Sequence, residues 1–460
     1  LGHPEPAAAR RTVRREGGAV ISPQRRREII DALRRGTVPR AGLDTFAIGV
    51  DRFTSAVDEE LDTVARGGAA VKAIRGEYGS GKTFLARWIE ERGRARGMAS
   101  SEVQVSESET PLHRLETVYR RLIEHLSTSE FPTAALRPIV DSWLYALEED
   151  VLAEGGVDET DANRLAGRTA DLLERRLGSI SSSAPTFAAA LRGYRLSTAA
   201  GDLATAEGLL AWVGGQPNVA SSVKRHAGIK GDLDHFGALA FLQGLLLVLR
   251  DAGHPGLVVV LDEVETLQRV RGDMRDKALN ALRQLLDEVD AGRFPGLYLI
   301  ITGTPAFFDG PMGLQRLPPL AQRLATDFTT DARFDNPRAI QVRLPGFDLG
   351  ALGELGRRIR DIYADGATEP TRIRSAADDA YIADLAAAVT GNLGGKVGIA
   401  PRIFLKKLVG DVLDRIDQFA DFDPRQHYQL TIAETELSDQ ERNLRAATTP
   451  DDIHLDLGEG

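Results

Sequence analysis

Two short stretches carry residue types and spacings suited to handling phosphate. The first is Gly76-Glu77-Tyr78-Gly79-Ser80-Gly81-Lys82-Thr83, a full match to G-x-x-x-x-G-K-T. Its glycines let backbone N–H groups converge on phosphate oxygens. A helix opening at its end, with Phe84 next in line, turns a positive dipole toward the same anion. Lys82 is placed to reach the β- and γ-phosphates, and Thr83 to hold magnesium. The second stretch is Leu257-Val258-Val259-Val260-Leu261-Asp262-Glu263, an apolar run that closes on two acids. Asp262 is placed to take magnesium, directly or through water, and Glu263 to polarise an attacking water. Acids buried beside an apolar run are costly unless a cation compensates them. The chemistry implied is magnesium-dependent hydrolysis of ATP. A kinase-like transfer fits less well, because a water-activating glutamate suits hydrolysis.

Further positions join these by placement alone. Thr302 closes Leu299-Ile300-Ile301-Thr302-Gly303-Thr304 and could orient the water as a first sensor, with Thr304 as the competitor. Arg323, in Pro319-Leu320-Ala321-Gln322-Arg323-Leu324, is a candidate arginine finger reaching a neighbouring subunit, with Arg316 as the alternative. A surface arginine is the equal alternative. Arg402, in Ala400-Pro401-Arg402-Ile403-Phe404-Leu405, opens a helix from which it could touch the nucleotide as a second sensor. Phe46-Ala47-Ile48-Gly49-Val50 offers apolar walls to an adenine ring through Ile48 and Val50, or packs in the core.

The elements that must position these residues follow from pattern. Ser22-Pro23 is an N-cap and first helical residue for a helix through Leu33, and a second helix spans Asp51 to Ala65 with Phe53, Val57 and Leu61 on one face. Strands are expected at Ala69–Arg75, Glu102–Ser106, Gly256–Asp262, Gly296–Thr302 and Ile340–Leu344, with a further one at Tyr428–Ile432. Continuous apolar strands suit a parallel sheet covered on both faces. A glutamate directly after the aspartate implies the P-loop division with an extra strand between the two motifs. The expected fold is α/β, a P-loop NTPase with a parallel five-stranded sheet in the order 5-1-4-3-2.

Residues 1–20, rich in Ala, Arg and Gly, read as a disordered basic arm. Residues 21–106 carry the N-terminal helices and the first part of the core. Residues 107–250 form a helical insertion, 251–346 the second part of the core, 347–420 a helical lid, and 421–460 an acidic tail.

With 460 residues, 42% hydrophobic and 27% charged, the chain is long enough for several domains and a large core. It contains no cysteine, which excludes disulfides, thiolate zinc sites and cysteine nucleophiles. No run is long enough to span a bilayer and no signal-peptide core is present, so a cytoplasmic protein without membrane contact is expected. The net charge of −10 argues against a chain coated for nucleic acid. Arginines crowd the first forty positions, however, and Ser221–Lys230 forms a basic patch. Either could meet double-stranded DNA, or lie solvated.

The phosphate loop, the opening Arg25–Pro39, the run Ser106-Glu107-Ser108-Glu109-Thr110-Pro111-Leu112-His113-Arg114, and Leu261-Asp262-Glu263-Val264-Glu265 together resemble the BREX phage-defence ATP-binding proteins of the BrxD kind. The resemblance spans roughly residues 20 to 420. It implies a role in an antiviral system beside a DNA methyltransferase, a phosphatase-like protein and a helicase, with ATP turnover serving DNA engagement or assembly. The layout of N-terminal helices, P-loop core and helical lid is also similar to AAA+ proteins of the origin-recognition type. Those usually carry a winged helix after the lid; here about forty residues follow Phe419, too few for one. A finger arginine would further imply a homo-oligomer.

Overall fold

The computed structural model describes residues 21–158, 160–393, 400–437 and 442. The basic arm expected over residues 1–20 lies outside them, as does most of the chain after residue 437.

Helix α1, Pro23–Arg34, starts where Ser22 accepts a hydrogen bond from Arg25 N–H at 3.2 Å, with proline at the first turn, and it buries Ile29, Ile30 and Leu33. Helix α2, Asp51–Ala65, buries Phe53, Val57, Leu61 and Val64, one stripe at helical spacing. Strand β1, Ala70–Arg75, leads through the glycine loop into α3, Lys82–Ala95, and then β2, Ala99–Gln104.

Among the described residues seven helices follow before the next strand: α4 Leu115–Glu124, α5 Leu136–Ala153, α6 Ala162–Ser183, α7 Pro185–Ala199, α8 Leu203–Val213, α9 Ser221–His226 and α10 His235–Asp251. They close on α10, whose Phe241 ring meets Tyr119, Phe187 and Trp212 edge-on at centroid distances of 5.7, 5.1 and 5.1 Å. Strand β3, Leu257–Asp262, α11, Gly272–Asp290, and β4, Leu297–Gly303, rebuild the core. Short helices α12, Pro305–Asp309, and α13, Pro318–Arg323, precede β5, Gln341–Arg343. The lid comprises α14, Leu349–Ala364, α15, Pro370–Ala376, α16, Asp379–Asn392, and α17, Ala400–Lys406, which runs on through a π-helical stretch, Lys407–Leu413, into α18, Asp414–Gln418.

All five strands pair in parallel in the order β2-β3-β4-β1-β5, which is the expected 5-1-4-3-2 read from the other edge. Alternation along each strand sorts the core into two layers. Leu257, Val259, Leu261, Leu297, Leu299 and Ile301 face the insertion helices and α11. Val258, Val260, Tyr298, Ile300 and Ile74 face α2, α3 and the lid. Among the described residues no helix is long and apolar enough to cross a membrane.

Two expectations need correction. Strand β2 starts and ends earlier than Glu102–Ser106, because its polar residues pair inward: Ser101 Oγ donates to Leu122 O at 2.7 Å, and Glu102 accepts Arg87 at 2.6 Å. No strand forms at Tyr428–Ile432. Among the described residues that segment has no β partner, and Tyr428, Leu430 and Ile432 instead rest half-buried against the lid-side core.

Candidate nucleotide site

A cavity of about 500 Å³ opens beside the glycine loop. Gly76 allows the loop to fold tightly, since a Cβ there would collide with the Ser80 hydroxyl. Gly81, at φ +93°, turns the chain into α3. Lys82 is buried, and its Nζ donates to Gly76 O at 2.9 Å and Glu77 O at 3.3 Å. The same ammonium lies 5.1 Å from the centre of the Tyr78 ring.

The other wall of the phosphate end is a chain of hydrogen bonds. Thr83 Oγ1 donates to Asp262 Oδ2 at 3.0 Å. Asp262 Oδ1 accepts the Thr302 hydroxyl, and Thr302 Oγ1 accepts the Glu263 N–H at 3.1 Å. Three elements therefore converge: the start of α3, the end of β3 and the end of β4. Glu263 stands at φ 59°, ψ 44°, an uncommon conformation for a side chain of its size. Its Oε2 accepts the Gln104 amide at 2.9 Å from the end of β2. Burial pushes the Asp262 carboxyl above its ordinary value. A hydroxyl and a carboxylate 3.0 Å apart form an oxygen donor set of the kind magnesium takes alongside phosphate oxygens. A cation there would offset the burial of the acid.

Glu265, two positions beyond Glu263, also faces the cavity. It is 4% exposed, and neither carboxylate oxygen has a hydrogen-bond partner on another of the described residues. Burial pushes its carboxyl up to about 7, although Lys82 opposes the rise. The turn that carries it, Val264–Gln268, is pinned by buried Arg275, which donates to the carbonyls of Leu267, Gln268 and Val270 at 3.0, 2.9 and 2.8 Å.

The far half of the cavity is apolar. Ile48 and Val50 line it beside Phe46 and Phe84, whose rings meet edge-on at 5.4 Å. Leu33, Gly36 and Val38 close one side from the end of α1, and Phe347, Leu355 and Leu405 close the other from the lid. Sequence pattern indicated Ile48 and Val50 but not α1 or these lid residues. The two sides are locked together by Arg34, whose guanidinium makes a bidentate pair with Asp414 at 2.6 and 2.9 Å.

The remaining sequence candidates divide. Arg402 lines the cavity, yet its Nη2 donates to Glu436 O at 2.8 Å. Thr304 caps α12 without a side-chain bond and takes no part in the chain of hydrogen bonds that holds Thr302. Arg323 lies at the end of α13, paired with Asp287 of α11 at 2.5 Å, and does not line the cavity. Arg316 pairs with Asp276, also on α11. Gln104, Glu265 and Arg275 had no assigned role from sequence, although β2–β3 pairing sets Gln104 directly beside Asp262.

A glycine loop between β1 and α3, acids closing β3, and a parallel sheet in this order define a P-loop NTPase fold. A family model described as BREX system ATP-binding protein BrxC/D matches residues 21–432. The chain belongs to that family. A solved structure of the Aeropyrum pernix ORC2 protein (ADPNP-ADP complexes) is similar at a TM-score of 0.34 and 13% identity, over 81% of this chain and 69% of that one. No curated protein matches.

Proposed function

We propose that the protein binds and hydrolyses ATP with magnesium inside a BREX-type antiphage system, coupling turnover to DNA engagement or to assembly with other BREX components. The observation that carries this reading is the hydrogen-bonded series Thr83–Asp262–Thr302–Glu263 set against Lys82 at one end of a cavity of about 500 Å³. In it, Lys82 neutralises the β- and γ-phosphates, and Thr83 and Asp262 hold the metal. Bound magnesium supplies charge neutralisation at the phosphates. Thr302 fixes the direction of Asp262 and of the Glu263 backbone. Glu263 takes the proton of the attacking water. Ile48, Val50 and Phe84 supply apolar contacts for the adenine, and the N–H groups of Glu77, Tyr78, Gly79 and Gly81 surround the phosphates.

The resemblance further suggests a methyltransferase, a phosphatase-like protein and a helicase as partners. Arg323 becomes a finger only in a homo-oligomer that frees it from Asp287. A second reading, a slow nucleotide-gated scaffold that recruits proteins and leaves DNA alone, is favoured by two contacts. Arg402 is engaged by Glu436 O, and Glu263 by Gln104, so both stand committed to protein partners.

The test is steady-state ATP hydrolysis with and without double-stranded DNA, with Glu263→Gln as control. DNA-stimulated turnover that the variant loses supports the DNA-coupled ATPase. Tight ATP binding with negligible turnover in both conditions supports the scaffold.

A further inference from the structure

Glu265 plays no part in the reaction just described, and its surroundings are unusual. It is a buried acid whose carboxylate oxygens find no hydrogen-bond donor on another of the described residues, facing a cavity suited to polyphosphate. Among the described residues its nearest cation is Lys82, with Nζ 4.0 Å from Oε1, beyond hydrogen-bonding reach but close enough for strong attraction in a site shielded from water. Arg275 fixes the turn beneath it through the carbonyls of Leu267, Gln268 and Val270, so the backbone has little freedom to carry the carboxylate away.

The Lys82 ammonium is shared. It donates to two loop carbonyls, lies over the Tyr78 ring and feels the Glu265 charge. Nucleotide phosphates need that same ammonium. Among the described residues, Glu263 and Asp262 at the end of β3 add negative charge around Glu265, and the Tyr78 phenol also feels the Glu265 charge. An incoming diphosphate or triphosphate therefore meets a carboxylate that both repels it and holds its main counter-charge.

We propose that Glu265 is a positioning residue that competes with the β- and γ-phosphates for Lys82, and so keeps the affinity for ADP and ATP low enough for exchange. The inference rests on the reading of Gly76–Thr83 as the phosphate cradle. Glu265→Gln keeps the side chain's shape and removes its charge. Glu265→Asp keeps the charge.

The experiment titrates ATP, ADP and AMP into the full chain with magnesium at pH 8 by calorimetry, for wild type and both variants. Expected is ATP and ADP binding tighter in Glu265→Gln by roughly tenfold or more, with AMP within about twofold of wild type and Glu265→Asp close to wild type throughout. Unchanged or weaker ATP binding in Glu265→Gln, with wild type binding normally, overturns the inference and leaves the cradle standing. An equal gain for AMP, or an equal gain in Glu265→Asp, overturns it too, because the effect would then not run through charge at the outer phosphates. Failure of wild type to bind ATP or ADP removes the cradle itself and the inference with it.

Discussion

Thr83 Oγ1 and Asp262 Oδ2, 179 positions apart in the chain, lie 3.0 Å from one another. The bond ties the first turn of α3 to the end of β3, and it occupies the place where a metal would need both oxygens. Asp262→Asn keeps the shape and drops the charge. Burial disfavours the charged form of Asp262, so its loss is expected to leave the melting temperature equal or raised. The gain of ATP affinity on adding magnesium should vanish. Scanning calorimetry reads the first, and nucleotide titration with magnesium or with chelator reads the second. A variant that keeps its magnesium dependence would remove Asp262 from the metal site.

Thr302 bridges the two acids, accepting Glu263 N–H and donating to Asp262. Thr302→Val conserves shape but leaves a buried carboxylate oxygen and an amide short of a partner. The expected cost in stability is about 1–3 kcal/mol. Turnover should drop by roughly ten- to a hundredfold, through misplacement of Glu263, while ATP affinity changes little. Lys82→Ala should show the opposite pattern, with nucleotide binding lost first. A Thr302→Val variant at the wild-type rate would assign water orientation elsewhere.

Glu90, on the inner face of α3, offers a pH-dependent signature away from the phosphates. Burial, reinforced by the charge of Glu102, pushes its carboxyl from 4.5 to about 7. A raised folded value means the folded state holds the proton more tightly than the unfolded one. Its contribution is fully present below about pH 4.5 and is lost as pH rises to about 7. Glu90→Gln should therefore match wild type near pH 4.5 and exceed it by on the order of 3 kcal/mol at pH 8. Denaturant unfolding at the two pH values checks this, and a difference independent of pH would contradict it.

Arg34 joins α1 to the helix that follows α17 through the paired bonds to Asp414, which also accepts Tyr363 Oη–H at 2.8 Å. Removing the guanidinium leaves a nearly buried carboxylate with one donor. Arg34→Ala is expected to cost about 1–2 kcal/mol and to weaken ATP several-fold, because Leu33 and Leu405 then lose their fixed spacing across the cavity. Fluorescence titration with a labelled nucleotide reads the affinity. Unchanged binding would mean that the lid seats without the pair.

The parts legible in the sequence are those whose signal is local. The phosphate loop is one contiguous motif, the Ser22-Pro23 start is a capping rule, and the β3 acids follow an unbroken apolar run. The strand order could be inferred because a glutamate directly after Asp262 marks one branch of the P-loop folds. The parts that were not legible depend on distant partners. Ser100, Ser101 and Glu102 look unlike a buried strand until Ser127, Leu122 O and Arg87 are brought against them. Tyr428–Ile432 alternates as a strand does, yet its apolar residues cover helices, and nothing in the alternation distinguishes the two. Gln104 is an unremarkable amide at a strand end until parallel pairing sets it beside Asp262. The base end of the cavity could not be foreseen, since Leu33 and Leu405 come to face one cavity only after the sheet and lid are assembled.

The apolar end of the cavity is walled on one side by α1 and on the other by α17, and a seated base would touch both. Occupancy of that space and the docking of α1 then share a single free energy. A molecule that draws α1 away must compete with nucleotide, and nucleotide resists it by the same factor. Events at the start of the described chain would in this way be felt at bound phosphates, without any change in the residues that would hold them.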